Sequence, residues 1–259
     1  MVVPQIMDYL YNQNDLIIAS LIIFVYTYFN KNNHICVYIN TTLYYYIIFG
    51  IFIMYKKYPR TFHLPFSEGV QSDDKVIKDL SSLEGKEVIV TYKMDGENTT
   101  LYRDHMHARS IDSAFHESRS WVKQWWSTWK HDIPMNMRIC GENLFAKHSI
   151  AYNNLKSYFY GFNIWEDDRC LSWSETMEYF DLFGITPVEV IYDGLFDITI
   201  LKNIVKNLDT NIHEGFVVRN KESFDYADFS KNVVKYVRKN HVTTSQHWMH
   251  AEIVKNELC

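Results

Sequence analysis

Val88-Ile89-Val90-Thr91-Tyr92-Lys93-Met94-Asp95-Gly96 is the stretch on which the reading of this chain turns. Its first five residues are β-branched or aromatic, the composition of a buried strand. Asp95-Gly96 then supplies a turn, because aspartate bonds its own backbone and glycine accepts conformations that other residues resist. Lys93 therefore stands where a strand meets a turn, a position from which a side chain can be presented to a pocket. A Lys-x-Asp-Gly pattern arises by chance in about one chain in fifteen to twenty of this length. Its weight depends on the partners found elsewhere.

Downstream, Thr99-Thr100-Leu101-Tyr102, a turn around Asp104-His105 and the stretch Met106–Ile111 read as a hairpin. Upstream, Val76, Ile77, Leu80 and Leu83 share one face at helical spacing, which predicts a helix over Asp73–Leu83. Tyr58–Gly69 carries two prolines and reads as an extended lead-in. Trp121, Trp125 and Trp129 stand four apart and predict a helix over Ser118–His131. That stripe reads as a core face, with a base-stacking platform as the other reading. Met137–Gly141 and Ser157–Trp165 read as strands. Ser172-Trp173-Ser174-Glu175 is a capping box opening a helix to Phe183, closed by Gly184. Asp197–Leu208 reads as a further helix, and Gly215–Arg219 and Asn232–Arg238 as late strands. Helices and strands mix without βαβ alternation, which predicts an α+β fold of antiparallel sheets flanked by helices.

The chain has 259 residues, 47% of them hydrophobic, ample for a sizeable core. Residues 1–53 stand apart: eleven Ile, eight Tyr, six Asn and four Phe accompany only Asp8, Asp15 and Lys31 as formal charges. Three readings compete for them. A membrane anchor would use Leu16–Phe29 and Leu43–Met54, each shorter than the roughly 20 residues a spanning helix needs. A targeting segment would want a basic start or arginines, and this stretch has neither. Translated AT-rich upstream DNA would have this composition, with Met54 as the native start. Residues 54–259 form the second division, an ordinary globular mixture. Cys36, Cys140, Cys170 and Cys259 make no C-x-x-C pair, which favours a reducing, cytoplasmic setting, with nucleus and mitochondrion as alternatives. Net charge is −5, so no global field draws in nucleic acid. Lys231, Lys235, Arg238, Lys239, His241, His247 and His250 nonetheless make the C-terminal region locally cationic. The three histidines lack the cysteine partners of a structural zinc site.

Four segments follow one another in order. They are Lys93-x-Asp95-Gly96; Arg109; Glu142 with the aromatic strand Phe159–Trp165; and Glu214-Gly215-Phe216-Val217-Val218-Arg219 followed by Val233–Arg238. In this order, from about Lys56 to His250, the chain resembles the ATP-dependent RNA ligases of the covalent nucleotidyltransferase superfamily. The group related to the second RNA ligase of phage T4 is the best match.

The resemblance implies a ligase adenylation domain in which Lys93, Glu214 and Lys235 are catalytic. Lys93 would be the nucleophile toward ATP, its pKa lowered by burial and neighbouring cations. Asp95, Gly96, Arg109, Glu142, Phe162, Lys235 and Arg238 would bind the nucleotide. In that set Glu142 takes the ribose hydroxyls, Phe162 the adenine, and Lys235 the α-phosphate. Glu214 would organise Mg²⁺, with Mn²⁺ as a substitute. Arg109, Lys235, Arg238 and Lys239 would meet the RNA, and Lys147 and His148 are further candidates. Two departures stand out: Val237 occupies the place of a second family lysine, and Asn163 that of a common aspartate. The expected reaction seals a 5′-phosphate RNA end to a 3′-hydroxyl. About twenty residues follow Arg238, so no C-terminal OB domain is expected, and an accessory protein that aligns the ends is an expected partner. A membrane is a partner only under the anchor reading. The alternatives are a DNA ligase, a GTP-using capping enzyme and a non-catalytic RNA-end-binding protein of the same fold.

Overall fold

The computed structural model describes residues 55–114, 116–239 and 253–259, and its elements belong to Lys56–Cys259, which packs as one unit. Residues 1–53 and His241, His247 and His250 lie outside the described residues. In chain order the strands are β1 (Phe62–His63), β2 (Glu87–Lys93), β3 (Glu97–Leu101), β4 (Met106–Ala108), β5 (Met137–Asn143), β6 (Phe159–Glu166), β7 (Arg169–Cys170), β8 (Thr186–Pro187), β9 (Val190–Leu195), β10 (Gly215–Asn220), β11 (Phe224–Asp225) and β12 (Val233–Val237). The longer helices are α1 (Ser120–Ser127), α2 (Trp173–Phe183) and α3 (Ile198–Asn207).

Two sheets result. The first runs β1-β12-β10-β2-β9, and the second β11-β7-β6-β5-β3-β4 with β8 beside β6. Among the described strands only β1–β12 and β6–β8 pair in parallel. The fold is α+β with antiparallel sheets, as expected.

Alternation along each strand separates core from cleft. In the first sheet Val88, Val90, Phe216, Val218, Val234 and Tyr236 point into a core shared with Leu64, Leu83 and Leu201 of α3. Thr91, Val217 and Lys235 stand opposite one another on the other face, with Lys93 two residues beyond Thr91. In the second sheet Leu101, Ile139, Phe159 and Ile164 pack beneath the helices through Trp126 and Phe180. Between β5 and β6 the register passes from Cys140↔Asn163 to Gly141↔Gly161, leaving Phe162 as the extra residue of a bulge. Such a bulge bends its strand and re-aims a side chain.

β2 belongs to the first sheet and β3 to the second. Met94-Asp95-Gly96 is therefore the crossing between sheets, and Lys93 sits at the seam.

The caps of α2 match the sequence signature. Ser172 and Glu175 form a reciprocal capping box, and Gly184 ends the helix at φ 64°. Helix α1 buries Val122 and Trp126, while Trp121, Trp125 and Trp129 are only partly buried against the same core. They stack along its rim and reach Phe183, whose ring lies 5.6 Å from Trp129.

Two local expectations fail. Asp73–Leu83 forms no helix, because its backbone bonds to β1 instead: His63 N donates to Lys75 O (2.7 Å) and Ile77 N to His63 O (2.8 Å). Asp79 also takes the Ser81 amide at 2.9 Å, a local turn that competes with helix. Ile77 and Leu83 are buried all the same. The returning strand β4 stops at Ala108, so Arg109 and Ile111 lie beyond it in turns. Among the described residues no helix is long and apolar enough to cross a membrane.

Candidate active site

Pairing of Lys93 with Gly215 across β2 and β10 sets Glu214 beside the lysine, and the Glu214 carboxylate accepts a hydrogen bond from Lys93 Nζ. Glu214 is itself held from behind, because its carbonyl accepts the Arg238 amide at 2.9 Å. Two glycines are required by close approach. A side chain at Gly215 would strike the Tyr236 carbonyl. At Gly96 a Cβ would lie 2.5 Å from the Asn143 carbonyl oxygen and 2.7 Å from Leu144 Cδ2. That closeness lets the Gly96 amide donate to Glu142 Oε1 at 3.2 Å.

The protonation of Lys93 differs from the expectation. Burial pulls its pKa down, but Glu214, Glu142 and Asp95 outweigh burial and hold the ammonium above the ordinary lysine range. Carboxylates, rather than cations, dominate its surroundings. Lys235 is the opposite case: burial, then the Lys93 charge, lower it, with Arg109 adding to the effect and Asp74 and Glu214 opposing it. Asp74 lies 3.6 Å from Lys235 Nζ and 3.1 Å from His63 Nε2. Burial drives the Glu142 carboxyl up to about 8, with Glu214 and Asp95 adding to it and Lys93 and the Gly96 amide opposing it.

Two adjoining cavities open on this cluster. The smaller, about 90 Å³, is lined by Thr91, Met94, Phe162, Val188, Val217 and Arg219 among others. The larger, about 700 Å³, is bordered by Gly96, Arg109, Arg119, His148 and Glu214 among others. Lys93, Glu142, Lys235, Asn98, Tyr58 and Thr61 line both. The structure thus gathers Lys93, Gly96, Arg109, Glu142, Phe162, Glu214 and Lys235 around one paired cavity.

The remaining candidates fall elsewhere. Asp95 lines neither cavity; its Oδ2 accepts the Ser149 and Ile150 amides, each at 2.7 Å. It ties down a loop. Arg238 and Lys239 follow the end of β12 and are absent from both linings. Lys147 is exposed and also outside the linings.

Three residues of the site carried no assignment from the sequence. Tyr58 enters from the lead-in segment, packs edge-on against Phe162 at 5.3 Å, and donates its hydroxyl to Asn163 Oδ1 at 2.8 Å. Asn98, two residues past Gly96, has a buried Oδ1 with no hydrogen-bond partner among the described residues. Period-two alternation from Gly96 was the signal that could have found it. Arg219 is 3% exposed, donates to the Phe162 carbonyl and to Thr91 Oγ1 (3.2 Å), and lies 5.3 Å from the Trp173 ring.

Among the described residues no three His, Cys, Asp or Glu side chains form a ready metal cage. Glu142 and Glu214, among the acidic side chains that line the cleft, offer hard oxygen donors. They suit a hydrated divalent ion that takes its other ligands from water and phosphate.

Two antiparallel sheets joined at a seam, with flanking helices, make the α+β fold of a ligase nucleotidyltransferase domain. The RNA ligase family model matches residues 86–237, more than half of the chain, and the chain belongs to that family. An archaeal ATP-dependent RNA ligase (form 1) has the same fold, at 15% identity and TM-score 0.50 over 71% of this chain and 48% of that one. The Naegleria gruberi RNA ligase with PPi is 20% identical at TM-score 0.45, over 70% of this chain and 57% of that one. The chain spans about half the length of the solved chains it matches. Among curated proteins none matches it.

Proposed function

We propose that this chain is an ATP-dependent RNA ligase that works through lysyl-AMP, with residues 54–259 as its nucleotidyltransferase domain. The observation that carries the reading is the Lys93–Glu214 pair, with Lys93 and Lys235 shared by the linings of both cavities. Adenine enters the smaller, largely apolar cavity against Phe162, and Glu142 takes the ribose hydroxyls. The phosphates lie in the larger cavity, where Lys235 and Arg109 oppose their charge. Lys93 Nζ, once its ammonium proton has passed to water, forms a bond to the α-phosphorus as the bond to the pyrophosphate oxygen breaks, and the remaining surplus proton leaves with the pyrophosphate or to water. AMP then passes to a 5′-phosphate of RNA, and attack by a 3′-hydroxyl releases it and seals the strand.

Lys93 must lose the proton that its carboxylates stabilise. Glu214 would hold Mg²⁺ or Mn²⁺, whose charge offsets that carboxylate and the phosphates when bound. With Glu214 engaged by the metal, the largest charge that holds the Lys93 proton would be offset, and burial would favour the neutral amine more strongly. The RNA lies along the larger cavity, with Arg238 and Lys239 extending the basic surface beyond it. We place the protein in a reducing, cytoplasmic setting, acting in RNA repair on ends aligned by an accessory protein.

Incubation with α-labelled ATP and Mg²⁺, followed by denaturing electrophoresis, tests this. Covalent label that disappears in Lys93→Ala supports the reading. A folded wild-type protein that takes no label from ATP overturns it; label from GTP alone favours a capping-type enzyme.

A further inference from the structure

The connection between β5 and β6, residues 144–158, carries both amides that Asp95 accepts and His148 of the larger cavity. Much of its own backbone bonding is made with a segment about a hundred residues later. Lys147 N donates to Val254 O at 2.7 Å, Glu257 N to Tyr152 O at 2.9 Å, and Leu155 N to Glu257 O at 3.0 Å. At the centre of Ile253–Cys259 sits Asn256, only 3% exposed. Its Nδ2 donates to Leu144 O (2.7 Å) and Ala146 O (3.5 Å), while its Oδ1 accepts the Tyr152 amide at 2.9 Å. Its carbonyl accepts the Tyr158 hydroxyl at 3.0 Å.

The bonding continues toward the nucleophile. The Tyr152 hydroxyl accepts the Asp95 amide at 3.0 Å, and Asp95 is two residues from Lys93. Asn256, Tyr152 and Asp95 thus make a chain of direct contacts from the C-terminal segment to the crossing between the sheets. An asparagine amide is suited to its end of the chain, since it donates to two carbonyls and accepts from an amide at once. Aspartate has the same shape but would turn both donor contacts into repulsion between oxygens.

We propose that Asn256 is a positioning residue for nucleotidyl transfer, acting through Tyr152 and Asp95 on the Lys93–Gly96 turn. This rests on Lys93 being the nucleophile. The clamp holds the turn from the second sheet, so that the seam lysine keeps its aim when it leaves Glu214. Displacement of a reacting group by about 1 Å can cost roughly a hundredfold in rate, so loss of the clamp should appear in the chemical step rather than in nucleotide affinity.

The test measures single-turnover labelling by α-labelled ATP in the full chain for wild type, Asn256→Asp and Tyr152→Phe. The rate constant at saturating ATP should fall by about tenfold or more in Asn256→Asp, with the ATP dependence moved less than about twofold. Tyr152→Phe removes only the hydroxyl that receives the Asp95 amide and should lower the same rate constant without loosening the C-terminal segment. The double variant should be no slower than Asn256→Asp, because both changes break one chain. Wild-type rates per folded molecule in both variants overturn the clamp. So does a lowered melting temperature with unchanged labelling of the folded fraction. If Asn256→Asp does not fold, Tyr152→Phe decides alone. Absence of label in wild type overturns the clamp together with the nucleophile assignment, whereas a labelled wild type with unaffected variants overturns the clamp only.

Discussion

The two walls of the cleft carry different parts of the work and are held by different means. The first-sheet wall presents Lys93, Glu214 and Lys235 from strands whose register sets them side by side. The second-sheet wall presents Asn98, Glu142 and Phe162, and depends on a bulge at Phe162, a buried Glu97–Arg119 ion pair and a loop clamped by a distant segment. In the proposed ligase reading, the reacting charges lie on or beside regular ladder, and the surfaces that fit the nucleotide are shaped by irregularities. Substitutions on the first wall should therefore stop group transfer while the protein still folds. Those on the second should change stability or affinity first, apart from the clamped loop, which acts through Asp95 on the first wall's lysine.

The largest effect is expected on the first wall. Lys93→Ala should abolish covalent labelling, since it removes the proposed nucleophile. Glu214, only 8% exposed, would lose the ammonium that donates to it, so melting should fall, though by less than for Glu97→Ala because Lys93 itself is 24% exposed. A variant that still labels would break the comparison at its base.

On the second wall, Glu97→Ala should be the most damaging for stability. Arg119 Nε and Nη2 donate to the two Glu97 oxygens at 2.6 and 2.5 Å, and both residues are less than 10% exposed. Removing one partner leaves a buried charge unpaired, a loss of about 3–5 kcal/mol. Urea unfolding should show that loss, and an unchanged midpoint would mean the pair contributes no support to the wall.

Smaller again is Phe162→Leu. A ring stacked on a base contributes about 1–3 kcal/mol, so the ATP concentration for half-maximal labelling should rise by about tenfold. The limiting labelling rate should stay close to wild type. A fall in that rate with unchanged ATP dependence would move Phe162 from recognition to chemistry and blur the division of labour.

The walls also differed in how far they could be read from the chain. Lys93 and Lys235 lie on strands of strong β character and Glu214 immediately before one, each in a short local pattern, so residue type and position coincide. Phe162 was legible as a strand aromatic, but the bulge that aims it depends on the partner strand. Tyr58 and Arg219 were not legible as site residues, because their roles come from contacts with Asn163 and Phe162, 105 and 57 residues away. The Asp73–Leu83 spacing suggested a helix because periodicity records which residues are buried, and an extended run along β1 buries Ile77 and Leu83 equally well. Asp95 fits the nucleotide pattern by position, while its carboxylate is spent on two loop amides. Local motifs carry the chemistry; the scaffold of the second wall is written in long-range contacts.

The smallest effect is a matter of pH and belongs to Glu142. Burial raises its carboxyl from 4.5 to about 8, so the folded protein holds this proton more tightly than the unfolded chain does. Stability from that group is fully present below about pH 4.5 and declines as pH climbs to about 8, where the buried carboxylate has become ionised. Glutamine has no proton to lose and keeps an oxygen for the Gly96 amide. Relative to wild type, Glu142→Gln should therefore gain in melting temperature across that window, by a few degrees at most, and the gain should level off above it. The neighbouring Lys93 ammonium, raised by its carboxylates, holds its contribution until pH exceeds the ordinary lysine range, so it does not mask the trend. Parallel wild-type and variant profiles from pH 5 to 8 would show that Glu142 ionises normally. The second wall would then be as tolerant of charge as the first.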